Sequence, residues 1–260
     1  MELAAFAPRA EDEHPIRIAL RSAIVDAANN APRSLQTALG PSEYGDPCAR
    51  RLAYKIMEAP KVNTDSDPWA SILGTAGHAW LADALTADNQ RTGETRWLIE
   101  QRLQIRDGLT GSCDAYYVPR RAVVDHKIVG PAKLREYRAS GPPDQYRKQV
   151  HLYGYGYTRL GLPVAEVALA FYPRAGQLSG LHLWSEPYDE EIALAAINRV
   201  DTIITVAYQL QVDDHPAHYT AIPRTPSRTC LYCPWMRPGP DTGVTCPGDT
   251  TLPAAPPAAG

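Results

Sequence analysis

The stretch that most constrains this chain is Ala122-Val123-Val124-Asp125-His126-Lys127-Ile128-Val129, an apolar strand with a carboxylate and an ammonium at its middle. Residues two apart on a strand project to the same face, so Asp125 and Lys127 stand together, among neighbours that suit burial inside a sheet. A charge buried there needs a partner. A solvated edge strand would carry the same letters. Upstream, Gly111 to Val118 reads as a second strand, joined to the first through only Pro119-Arg120-Arg121. Two strands so closely linked are expected to pair as a hairpin, bringing Asp114 towards Asp125. Carboxylates converging in this way repel unless a divalent cation lies between them, and a hard ion such as Mg²⁺ or Mn²⁺ suits oxygen donors. A lysine beside them is placed to orient or activate a water for attack on a phosphodiester.

Composition sets the outer bounds. With 260 residues, 44% hydrophobic and 21% charged, the chain reads as one large folded domain with small appendages. No apolar run reaches the roughly 18 to 20 residues of a membrane span; even Trp69 to Leu85 is broken by Gly74, Gly77, His78 and Asp83. The first ten residues show no basic region ahead of an apolar one, so no secretory signal is expected and a cytoplasmic location follows. A net charge of -3 and a pI near 6.2 argue against binding nucleic acid through overall basicity. Yet Tyr117 to Arg159 holds nine basic residues and three acids, a candidate polyanion surface or an ordinary solvated one.

Periodicity predicts helices over Ile16–Ala28, Pro47–Met57, Pro68–Leu85 (Asp67 as N-cap), Pro143–Leu160 and Asp189–Gln211. Strands are expected at Trp97–Ile105, Gly111–Val118, Ala122–Val129, Val164–Tyr172 and Gly180–Trp184, giving a mixed α/β fold. The organisation expected is a helical segment over 1–30, a core over 31–229, a cysteine-bearing segment over 230–247 and a disordered tail over 248–260, rich in Pro, Ala, Gly and Thr.

Three more residues stand at suitable places. His78 lies mid-helix beside Gly74 and Gly77, which would allow close approach to a neighbour; a lone helical histidine is also commonly a structural one. Gln149 and Tyr153, four apart, share a helix face, where an amide and a phenol can meet phosphate or base, or simply pack. Together, Gly77-His78, Gly111 to Asp114, Asp125-His126-Lys127 and Gln149 to Tyr153 resemble the histidine, GxxD, D-x-K and QxxxY motifs of the RecB-like branch of the PD-(D/E)XK nucleases. The resemblance implies a restriction-endonuclease-like core, a mixed central sheet flanked by helices. It implies His78, Asp114, Asp125 and the main-chain carbonyl of His126 as ligands of Mg²⁺ or Mn²⁺, and Lys127 as the catalytic lysine. Gln149 and Tyr153 would hold DNA, with Gln145 a second candidate one turn earlier.

Five cysteines stand at 48, 113, 230, 233 and 246. Cys230 and Cys233 form a C-x2-C pair with Cys246 following, and Cys48 would be the fourth thiolate, clipping the ends of the chain together. Four thiolates suit tetrahedral Zn²⁺ or an iron-sulfur cluster. One cysteine before the histidine motif and three near the carboxyl end resemble the [4Fe-4S] RecB-like nucleases, including CRISPR-associated exonucleases and bacteriophage relatives, as does Ser42 to Arg51 around Cys48. Twelve residues between Cys233 and Cys246, more than that family uses, leave structural zinc open. Cys113, next to Asp114 on a strand, reads as a buried free thiol. Arg224, Arg228 and Arg237, with no acid between Ala221 and Pro240, suggest that this end forms part of a DNA-binding wall.

The expected activity is therefore a metal-dependent DNA exonuclease acting on single strands or ends, with possible recombination or CRISPR-type protein partners. A non-catalytic DNA-processing scaffold and an endonuclease of the same fold are the alternatives.

Overall fold

A computed structural model describes residues 14–31, 38–63 and 67–251. Five strands form one mixed sheet in the order β1 (Trp97–Arg106), β2 (Leu109–Tyr117), β3 (Ala122–Val129), β4 (Glu166–Pro173) and β5 (His182–Pro187). Every neighbouring pair is antiparallel except β3 and β4, which run parallel in register from Ala122↔Glu166 to Val129↔Pro173. The expected mixed central sheet flanked by helices is what forms, and β3 sits in its middle. The solvated-edge alternative for Asp125 is thereby removed, since the residue is 2% exposed.

The parallel β3–β4 step requires a crossover, which two helices supply: α5 (Pro131–Ser140) and α6 (Asp144–Arg159). The sequence pattern missed α5. Pro131 occupies its first turn, where the missing N–H costs nothing. The helix α6 and α7 (Glu190–Gln209) cover one face of the sheet. They bury Val150, Leu152, Tyr153 and Tyr157 from α6 and Ala193, Ala196, Val200 and Ile203 from α7.

The opposite face carries α4 (Trp69–Thr92) over a thin layer of Ala115, Val124, Ala168 and Ala170. Asp67 Oδ1 accepts from the Trp69 amide at 2.9 Å, but the helix begins one residue later than expected, with Pro68 rather than Asp67 at its N-cap. The helix runs seven residues past Leu85 and ends at Gly93, whose φ of 69° is left-handed. Before it lie α1 (Pro15–Asn29), α2 (Pro41–Tyr44) and α3 (Ala49–Ile56). The first of these is the helix expected at Ile16–Ala28, but it buries none of its residues; Ile16, Ile18, Leu20 and Ile24 are exposed.

The segment after α7 is irregular, with short 3₁₀ turns at Pro216–Ala221 and Arg228–Tyr232. It packs on α3 through Tyr54, which stacks on Trp235 and meets Tyr219. No helix among the described residues is long and apolar enough to cross a membrane. Most of the expected tail, residues 252–260, lies outside the described residues.

Candidate active site

The site forms where β2 and β3 part. Their ladder has three pairs, Tyr117↔Ala122, Tyr116↔Val123 and Ala115↔Val124, and stops there. The next facing residues are Asp114 and Asp125. Asp114 replaces the missing ladder with its side chain, Oδ2 accepting from the His126 amide at 2.6 Å. Its other oxygen, Oδ1, lies 3.1 Å from Nδ1 of His78 on α4. That approach depends on Gly77: a Cβ there would lie 1.8 Å from Ile128 Cδ1 on β3. Gly74, also expected to allow close approach, faces nothing within 4 Å.

The α6 side of the strand holds Asp125 and Lys127. Lys127 Nζ is 2.6 Å from Asp125 Oδ2 and donates to Gln149 Oε1 at 3.0 Å. Gln149 Nε2 in turn donates to Asp125 Oδ1 at 2.9 Å and approaches the Tyr153 hydroxyl at 3.4 Å. The amide therefore bridges both members of the D-x-K pair. Gln149 and Tyr153 are buried, so they face the carboxylate and lysine rather than solvent. Gln145 is elsewhere, its amide spent on the Ser42 carbonyl at 2.7 Å.

Burial raises the Asp125 carboxyl to about 6, Lys127 pulling against the rise and Asp114 adding to it. For Asp114 burial works in the same direction, but the His78 hydrogen bond and charge together with the His126 amide outweigh it and hold the group low. The Asp114 hydrogen bond raises His78. Burial pushes the His126 imidazole down to about 4, and its Nε2 is buried with no hydrogen-bond partner. The two carboxylates are thus held differently, one ionised against an imidazole and the other resisting charge.

The donor set suits a hard cation: two carboxylates, an imidazole and a main-chain carbonyl. Asp125 Oδ2 is buried against the Lys127 ammonium at 2.6 Å, so a cation held there would share that carboxylate with the lysine. As the side chains stand, no three His, Cys, Asp or Glu residues among those described are close enough together to hold a metal ion.

Structural comparison finds similarity to the alkaline exonuclease LHK-Exo of Laribacter hongkongensis, at 13% identity and a TM-score of 0.46, covering 66% of this chain and 89% of that one. The same protein in complex with dAMP gives 12% and 0.47, with coverages of 66% and 89%. A phage-related exonuclease of Haemophilus somnus 129PT gives 12% and 0.42, covering 74% of this chain and 88% of that one. No family model matches the sequence, and no curated protein matches it.

Cys48, Cys230, Cys233 and Cys246 line one cavity, with Arg50, Arg51 and Arg224 in its walls. Burial raises the Cys233 thiol, with the Arg51 charge opposing. Gly248, at a φ of 67°, closes over Cys230, and a Cβ there would come within 3.1 Å of Cys230 Cβ. Cys113 is fully buried and forms no disulfide, its thiol donating to the Ala115 carbonyl at 3.4 Å.

The basic stretch is less free than its letters imply. Arg120, Lys133, Arg147 and Lys148 pair with Glu166, Glu136, Glu186 and Asp144. One contributor to the site went unread in the sequence: Tyr146, whose ring lies 4.7 Å from Lys127 Nζ. Its signal was there, since it stands one helical turn before Gln149 and so on the same side of α6.

Proposed function

We propose that this chain is a divalent-metal-dependent DNA exonuclease of the PD-(D/E)XK type, acting on single strands or DNA ends. The observation that carries the reading is the convergence of Asp114, Asp125, Lys127, His78 and Gln149, drawn from two strands and two helices, on the point where β2 and β3 separate. His78, Asp114, Asp125 and the His126 carbonyl would hold Mg²⁺ or Mn²⁺. Such an ion, when bound, supplies charge that polarises a phosphoryl oxygen and acidifies water. Lys127 presents its ammonium to the attacking water and the phosphate, steadied by Gln149. His78 keeps Asp114 ionised and oriented. Burial of Asp125 makes its charge costly until a cation joins it.

The four cysteines that line one cavity would hold a structural [4Fe-4S] cluster, the reading the family resemblance favours, with structural Zn²⁺ the alternative that the same thiolates suit. DNA is the macromolecular partner, and recombination or CRISPR-type proteins in a cytoplasmic setting fit the same reading.

The test is degradation of end-labelled linear single-stranded DNA with Mg²⁺ or Mn²⁺ by anaerobically purified protein. Wild type should release label only with metal, and Asp125→Ala should release none. Cutting of covalently closed circles would make the protein an endonuclease. Equal inactivity of both proteins with DNA still bound would make it a scaffold. Brown protein that bleaches in air, and colourless Cys230→Ser, would identify the cluster; colourless wild type containing zinc would exclude it.

A further inference from the structure

Lys127 is held on three sides, and the third belongs to no motif. Its ammonium meets Asp125 Oδ2 at 2.6 Å and Gln149 Oε1 at 3.0 Å, while the ring of Tyr146 lies 4.7 Å from Nζ. The ring is itself fixed. Tyr146 sits in the first turn of α6, its amide donating to Pro143 O at 2.9 Å. It stands edge-on to Tyr137 of α5, centroids 6.2 Å apart at 78°. Tyr137 in turn packs 5.0 Å from Phe171, the β4 residue in register with Lys127. A line of three aromatic rings therefore runs from the strand beside the lysine to the face over its charge.

A lysine ends a flexible four-carbon stem and finds many orientations unless something limits it. A cation near a tyrosine ring is attracted by the ring quadrupole, more strongly where water is excluded, and the Lys127 side chain is 16% exposed. We propose that Tyr146 is a positioning residue for Lys127, its ring keeping the ammonium against Gln149 and Asp125 so that its remaining N–H faces the scissile phosphate. The proposal rests on the nuclease reading above. It requires the ring and not the hydroxyl.

The experiment measures kcat and KM on end-labelled DNA for Tyr146→Leu, Tyr146→Met and Tyr146→Phe, each with Lys127 present and with Lys127→Ala. The lysine ε-methylene signals of ¹³C-lysine protein are recorded alongside. Leucine and methionine should lower kcat by about two- to thirtyfold with KM unchanged, and phenylalanine should restore most of that loss. In the Lys127→Ala background the same changes should add nothing. The signal missing from Lys127→Ala should be displaced in the leucine and methionine variants only. An equal fall in kcat without Lys127, a change in KM alone, or an unmoved lysine signal would each overturn the proposal. If wild type cleaved no DNA the nuclease reading would fall by itself, and the lysine signal would still decide whether Tyr146 holds Lys127.

Discussion

The carboxylate site and the cysteine cavity are both assembled from residues far apart in sequence, but different forces close them. At the carboxylates the functional groups hold one another: Asp114 takes His78 and the His126 amide, and Gln149 ties Asp125 to Lys127. At the cavity other residues do the closing. Arg50, 3% exposed, donates to the carbonyls of Ile222 and Thr220 and to Asp241, while the Tyr54 hydroxyl reaches Gly243 O at 2.5 Å. The Val62 and Asn63 amides both reach Pro234 O, and the Trp235 indole reaches Ala59 O. One site spends its own chemistry on its architecture. The other is closed mainly by neighbours of its thiols, the Cys230 sulfur contributing as acceptor from the Ser227 amide at 3.4 Å.

Removing Arg50 should break that division most severely. Arg50→Ala leaves the Ile222 and Thr220 carbonyls without their donor, a loss of about 1–3 kcal/mol for a buried acceptor, while the exposed Asp241 keeps Arg224 at 4.0 Å. Urea denaturation should show a loss of that size, with the cysteine-bearing end detaching, whereas Asp125→Ala stays folded. A loss under about 1 kcal/mol would mean that apolar packing around Trp235 closes the cavity, and that the two regions are held alike.

A second prediction turns on the sign of the Asp125 shift. Its folded value of about 6 lies above the ordinary 3.8, so the folded state binds this proton more tightly than the unfolded chain. The stabilisation is full below about pH 4 and is lost as pH rises through about 6. Asp125→Asn escapes that loss while keeping an oxygen for the Gln149 amide. The stability of metal-free Asp125→Asn relative to wild type should therefore rise between pH 3.5 and pH 7, by on the order of 2–3 kcal/mol, over a pH-independent cost of setting an amide against the Lys127 ammonium. Chemical denaturation at the two pH values checks it. A difference unchanged with pH would mean that Asp125 does not carry the burden of charge, and the site would no longer differ from the cavity in the way described.

The legible parts were those whose signal is local. Alternation and turn residues placed β2 and β3, and the spacing of Gln149 and Tyr153 put both on the side of α6 that meets the sheet. Helix α5 escaped because only Leu134 and Tyr137 of its ten residues are buried, too few to make a stripe. The end of α4 was missed because Thr86 to Thr92 is polar, and Gly93 rather than the last apolar residue stops the helix. Pairing across long separations was illegible too. The basic run finds its acids at Glu166 and Glu186, on strands that follow it, and no local pattern announces that β2 and β3 part at Asp114.

The smallest expected effects compare two glycines on one helix turn. Gly74→Ala meets nothing, so helix propensity alone acts and should stabilise by up to about 1 kcal/mol. Gly77→Ala gains the same propensity but drives its Cβ into Ile128 Cδ1. The δ-methyl can rotate aside, so the net cost should fall near the lower end of overpacking, about 1 kcal/mol. The larger consequence is positional, because any outward shift of α4 carries His78 away from Asp114. In Gly77→Ala the His78 pKa, followed by NMR, should fall back towards its ordinary value, since the Asp114 hydrogen bond is what raises it; in Gly74→Ala it should stay put. If both variants left His78 unmoved, the contact at Gly77 would be packing alone, and the carboxylate site would owe its imidazole to some other part of α4.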